Sequence, residues 1–307
     1  MRSSTTTAAQ PRGPGTAGAV TQAEANRLAK RFLDLLTAHR ADVQPALRPV
    51  APPPPEPDVA EVHDRHRATA TAGLRAHRRW ARAAAQVLAE RAADDEIAAT
   101  RAQRALEHTA HQAELDTWWQ ALTRNDPDVV LAALAAAFGD GDEVTAAPLG
   151  VQGSEATLVV LVPPESVIPD GMPELDAAGR PSLRELPMGE RSGLYATVVM
   201  SRALATVRQA MAAAPGLRSA RVMALRTSRP DLAGRPRLDC VLAGRWTRHA
   251  LDRARWDTAD ARTVAEDAAA ELLYDLRPGR SLRPHDLRAQ RDMSGLADVV
   301  VIEGLLG

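Results

Sequence analysis

Lysine is almost missing from this chain. Of its 307 residues only Lys30 is a lysine, and every other fixed positive charge is an arginine. A Walker-type phosphate loop closes on a lysine that reaches the phosphates, so the absence of any lysine after residue 30 excludes that class. No Gly-x-Gly-x-x-Gly follows a strand-like run, which removes the dinucleotide-binding fingerprint as well. One cysteine, Cys240, excludes an intramolecular disulfide and any cysteine-based zinc site. Aromatic residues make up 3% of the chain, so a core here is built mainly from Leu, Val and Ala. No apolar run approaches the roughly 18 residues of a membrane span. Residues 1–19 also lack the continuous apolar centre of a secretory signal. The expectation is a cytoplasmic protein without a membrane partner.

Glycine and proline are absent in their turn between Leu74 and Asp126, where Ala, Arg, Gln, Glu and Leu dominate. High helix propensity without a breaker predicts one long helix, or two with a tight bend, and Asp94, Asp95 and Glu96 mark the expected bend. As one helix, residues 61–123 would span about 95 Å at 1.5 Å per residue. A helix of that length needs something to pack on. Its large apolar residues hold no clean heptad, which favours an Ala-lined antiparallel pair or an irregular oligomeric bundle over a regular coiled coil.

The remaining parts follow from local signals. Residues 1–20, rich in Ser, Thr, Gly and Pro, read as a disordered tail. Thr21 and Glu24 have capping-box spacing and open a short amphipathic helix, residues 21–40, with Leu28, Phe32, Leu35 and Leu36 on one face. That face is expected to dock on this chain or on a second copy. Residues 41–58, with Pro45, Pro49, Pro52 to Pro55 and Pro57, read as a stiff extended spacer. The helical arm covers residues 59–124. Residues 125–307 read as an α/β domain: a helix opened by Asn125, Asp126 and Pro127 and closed by Gly139, a strand pair at 144–151 and 157–162 turning at Gly153 and Ser154, and a long proline-rich loop. Then come a helix capped by Ser192, strands at 219–226 and 237–243, two helices (247–255 and 259–275), and a last apolar run at 299–302. The fold class is therefore α/β, a mixed sheet with covering helices, preceded by a long all-α arm.

No motif in this frame carries an intact chemistry. The stretch 139–143, with Asp140, Asp142 and Glu143, lacks the ligand spacing of a calcium loop. Ser154 stands in VQGSE, not in a Gly-x-Ser-x-Gly elbow. Cys240 sits in an apolar strand and reads as a small buried hydrophobe. Glu107, His111 and Glu114 share one helical face, but the repeated Glu-x-x-His of a two-metal bundle is missing, so a solvated face is expected. Glu155 and Asp239 are strand-associated acids of the kind a metal-dependent nuclease uses, yet the domain has no lysine to steady an attacking water. No catalytic residue, cofactor or metal is expected.

Charge segregation is the strongest pattern present. Residues 202–255 hold twelve arginines against three acids, whereas residues 126–191 hold twelve acids against three arginines. Arg218, Arg221, Arg235, Arg237, Arg245 and Arg248, interleaved with Trp246 and Trp256, form a candidate anion or nucleic-acid surface combining phosphate contacts with stacking. The alternative is that the acidic and basic stretches neutralise each other across the fold or between subunits, as a net charge of −1 allows.

The order of parts, with residues 158–163 and 240–248, resembles proteins of high-GC actinobacteria in which an Ala/Arg-rich helical region precedes a small α/β domain. The resemblance implies that architecture and carries no activity or site residue with it. The functional expectation is a non-enzymatic assembly or adaptor protein, self-associating through residues 60–123 and binding a protein partner through its α/β domain. A nucleic-acid-binding protein, with a degenerate nuclease-like fold, is the second reading.

Overall fold

A computed structural model of the protein describes residues 21–75, 77–139, 145–176, 179–228, 237–277 and 279–285. Its contacts divide the chain into two compact units, one formed by residues 1–46 with 122–307 and the other by residues 47–121.

The first unit opens with helix α1 (Gln22–Thr37), started by the capping box of Thr21 and Glu24 and followed by a 3-10 turn, Ala38–Arg40. Helix α4 (Pro127–Gly139) begins behind a cap in which the Asp126 carboxylate accepts the Val129 N–H. Strands β1 (Ala146–Gln152) and β2 (Glu155–Val162) form the expected hairpin, with Gly153 at φ 58° in its turn. After β2 the proline-rich stretch is not a featureless loop. Beyond a 3-10 turn, Glu165–Val167, it folds into a second hairpin, β3 (Gly171–Leu175) with β4 (Pro181–Glu185). A separate two-stranded ribbon has only edges, so prolines can sit where no ladder donor is needed.

Helix α5 (Met188–Ala213) starts four residues before the expected cap. Ser192 lies inside it, buried, and its hydroxyl donates to the Met188 carbonyl at 2.9 Å. Strands β5 (Ser219–Ser228) and β6 (Arg237–Thr247) follow, then the short helices α6 (Arg248–Leu251) and α7 (Ala261–Ala268), and strand β7 (Ala269–Leu273). The second helix expected at 259–275 thus ends at Ala268, and its last residues pair with the free edge of β6. The apolar run at 299–302 lies outside the described residues.

Among the described residues the main sheet has the order β1-β2-β5-β6-β7, parallel only between β2 and β5 and antiparallel elsewhere. Alternation sends Ala156, Leu158 and Val160 to one face, with Ala220, Val222 and Ala224 beside them. Helix α5 packs on this face and buries Tyr195, Val199, Leu204 and Val207. Trp246, fully buried, donates its indole N–H to the Ala265 carbonyl of α7 at 3.2 Å. Its ring lies over Gly244, where a Cβ would come within 2.4 Å of the indole, so only glycine fits there. Val159, Met223, Leu225, Cys240 and Ala243 form a second buried cluster on the opposite face. Helix α1 packs on α5 and on the β3–β4 ribbon, which answers what its apolar face docks on.

The second unit is built around α3 (Arg79–Thr123), 45 unbroken residues whose last two belong to the first unit. The helix runs straight through Asp94, Asp95 and Glu96. The break falls instead after α2 (Val59–Thr71), at a turn where Gly73 takes φ 78°. The expected bend residues serve as anchors: Asp94 pairs with His63 at 3.4 Å, and Glu96 with His66 at 2.7 Å and with Arg65. Below them Ala89, Ala93 and Ile97, one turn apart, are buried.

The proline segment continues the same pairing. Gln112 accepts the Ala51 N–H at 2.9 Å and donates to the Pro49 carbonyl at 3.3 Å. Arg48 makes a bidentate contact with Asp116, and Arg101 bonds Glu56. From Arg48 to Glu56 eight residue steps of extended chain run beside fifteen steps of α3, about 22 Å of helix. That is close to the 3.1 Å rise per residue of an extended proline chain. The segment is extended, as its prolines dictate, but it is laced onto the helix and does not act as a free spacer.

Candidate functional site

The six arginines singled out by charge do not form one surface. Arg221 and Arg245 face each other across β5 and β6, and the same row continues through Glu271 on β7. Glu155, on β2, reaches into it diagonally. Arg245 Nε lies 2.8 Å from Glu271 and its guanidinium 3.7 Å from Glu155, while Arg221 is 3.6 Å from Glu271 and 3.5 Å from Glu155. Two cations and two carboxylates alternate at the polar end of the sheet face whose other end is the Cys240 cluster. The arrangement is neutral and mutually bonded.

Arg248 is used differently. Its Nε donates to the Leu217 carbonyl at 2.9 Å and one terminal nitrogen to that of Met211 at 2.8 Å, with the Ala214 and Pro215 carbonyls 3.4 Å away. These carbonyls lie at the C-terminal end of α5, where a cation supplies the donors a helix end lacks. Arg218 and Arg237 are exposed, but they lie near opposite ends of the β5–β6 pair, about 30 Å apart at 3.3 Å per residue. Arg235 lies outside the described residues.

Neither tryptophan offers a stacking platform among them. Trp246 is in the core, and Trp256 lies under the Arg208 guanidinium, 4.6 Å from the ring centroid, with its N–H on the Leu251 carbonyl.

Charge neutralisation is mainly local. Within the acidic stretch Asp170 pairs with Arg191, Asp176 with Arg180, and both Glu174 and Glu190 with Arg184. Within the basic stretch Arg226 pairs with Asp239. Glu155 joins the two stretches, and Glu271 comes from neither. Asp239 and Glu155 lie in separate ion pairs and do not meet as a metal-binding couple. Among the described residues no group of three His, Cys, Asp or Glu side chains is placed to hold a metal ion. Glu107, His111 and Glu114 are exposed along α3, with one contact of 3.9 Å between His111 and Glu114.

The nucleophile candidates are buried. Cys240 donates its thiol to the Leu242 carbonyl, and burial pushes its pKa up to about 12, so no thiolate forms near neutral pH. A Ser–His pair that spacing could not reveal joins His39 to Ser201 in α5. The His39 N–H donates to Ser201 Oγ at 3.1 Å, and the hydroxyl lies 3.1 Å from Nδ1. The hydroxyl accepts the first bond, and the imidazole tautomer sets which group donates in the second. Nε2 is buried without a hydrogen-bond partner among the described residues. Arg208 donates to the His39 carbonyl, and burial together with Arg40 and Arg208 lowers the imidazole pKa. Both side chains are buried, and the imidazole bonds no carboxylate among the described residues. The pair clasps the end of α1 to α5 and lacks the third member of a hydrolytic triad.

The arm presents the other candidate surface. On α3 Trp80 is 91% exposed, and Val87, Leu88 and Leu106 are also open, although a helix this apolar in places normally covers such side chains. No helix is long and apolar enough to cross a membrane among the described residues. No family model, no curated protein and no solved structure matches the chain.

Proposed function

We propose that this chain is a non-enzymatic assembly or adaptor protein of the cytoplasm, self-associating through its helical arm and engaging a protein partner through its α/β unit. The observation that carries the reading is the open apolar side of α3, with Trp80 91% exposed. Burying a side chain of that size removes about 150–250 Å² from water. The internal bonding of Arg221, Arg245 and Arg248 supports it over a nucleic-acid surface, because those guanidinium groups already have acceptors. Sedimentation equilibrium of the full chain tests the proposal, with concentration-dependent association expected. A monomer at all concentrations would sink it. Tight binding to DNA or RNA with a steep salt dependence would favour the second reading instead.

A further inference from the structure

The two sides of α3 have opposite fates. Ala89, Ala93 and Ile97 are buried, and Glu96 and Gln112, which hold α2 and the proline segment, lie beside that side; Asp116, which holds Arg48, lies beyond residue 106. At 100° per residue, Trp80, Leu88, Arg91, Asp95, Ala98 and Leu106 fall within an arc of about 80° on the far side. All six are exposed. Arg91 and Asp95 sit one turn apart in the middle of this arc, and neither makes an ion pair with any described residue.

We infer that the occupant of this face is a second copy of the chain, docked antiparallel about a two-fold axis level with Ala93. This rests on the self-association proposed above and adds its face, direction and register. Self-complementarity carries it. With the axis there, Arg91 meets Asp95 of the second copy, and Asp95 meets its Arg91. Leu88 then lies over Ala98, Ala84 over Ala102 and Trp80 over Leu106, each contact occurring twice. Leu88 opposes the small Ala98 and alanine meets alanine in the next layer, which lets the axes approach closely there, while Trp80 and Leu106 close the two ends. The overlap from 80 to 106 is about 40 Å long. A parallel pair in register places Arg91 on Arg91 and Asp95 on Asp95, which repel.

The test is charge reversal in the full chain, read by sedimentation equilibrium. Arg91→Asp and Asp95→Arg are each expected to weaken dimerisation about tenfold or more, because each creates two like-charge contacts per dimer. The double variant carrying both substitutions is expected to recover the original affinity. Oxidative cross-linking gives the direction independently. Leu88→Cys mixed with Ala98→Cys should yield covalent dimers, and neither variant alone should, the buried Cys240 thiol staying out of the reaction. A dimer that is indifferent to both reversals and forms no mixed cross-link overturns this register and leaves self-association standing. A monomeric chain overturns both.

Discussion

Replacing Arg248 by methionine tests whether this arginine belongs to the fold or to a binding surface. Methionine keeps most of the apolar stem and removes every donor. Two close charge-assisted bonds are lost, 2.9 Å to Leu217 and 2.8 Å to Met211. Such bonds contribute about 1.5–3 kcal/mol each, and a cation at a helix C-terminus adds about 0.5 kcal/mol. Arg248 is half-buried, so water replaces part of what is lost. The net cost works out at about 2–4 kcal/mol. With a urea m-value of about 2–3 kcal/mol/M, the midpoint should fall by about 1 M with m unchanged. Arg237→Met is the control: that side chain is exposed, and its loss should cost less than about 0.5 kcal/mol. Urea titration followed by circular dichroism compares the two. Equal midpoints would refute the assignment of Arg248 to the end of α5.

Three further outcomes follow from buried or bonded groups. His39 has a lowered pKa in the folded chain, so the unfolded chain binds protons more readily; stability should be full above about pH 6.5 and fall as the pH drops below it. In His39→Gln that acid slope should shrink, measured as unfolding midpoints between pH 7 and 5. At the alkaline end the raised Cys240 and Tyr195 groups favour the neutral folded form, so stability should fall as pH climbs from about 9 towards 12. Cys240→Ala should flatten the first part of that decline, and an unchanged profile would count against burial as the cause. Gln112→Ala leaves the Ala51 N–H without its acceptor. Its amide should then exchange with solvent about tenfold faster, while amides in the middle of α5 keep their protection.

The strands that proved legible were those with a run of β-branched and aliphatic residues bounded by turn chemistry, such as β2 with Gly153 and Ser154 before it. Two elements were lost to local bias. Prolines 173 and 181 made the β3–β4 ribbon look like loop, because proline is a poor guide where every strand is an edge. Residues 269–273, all Ala, Glu or Leu, carry helix propensity, and pairing to the open edge of β6 overrides it. The same error hid Glu271, the closest acid to Arg245, since in a helix it would not have faced that row. The bend expected at 94–96 failed for a related reason. Those acids read as a weak point in isolation, but two of them, Asp94 and Glu96, are the groups that His63, Arg65 and His66 hold. His39 and Ser201 are 162 positions apart, and nothing in either neighbourhood announces the other. The open face of α3 was within reach of the sequence, at alternating steps of three and four from residue 84 to 102. A stripe of large residues does not mark it, because two of its central positions, Arg91 and Asp95, are charged.

The lacing of the proline segment onto α3 sets two rulers of different pitch side by side. One residue of the extended chain advances about 3.1 Å and one residue of the helix about 1.5 Å. Inserting one residue between Ala51 and Glu56 would therefore move every later contact by two helix positions, about 200° around the axis. Two residues added to the helix between Arg101 and Gln112 would restore the axial match but not the angular one. The segment's length is thus a measured quantity. An alignment of natural variants should show gaps in 48–58 only where α3 also changes length, by about two helix residues for each one in the extended strand.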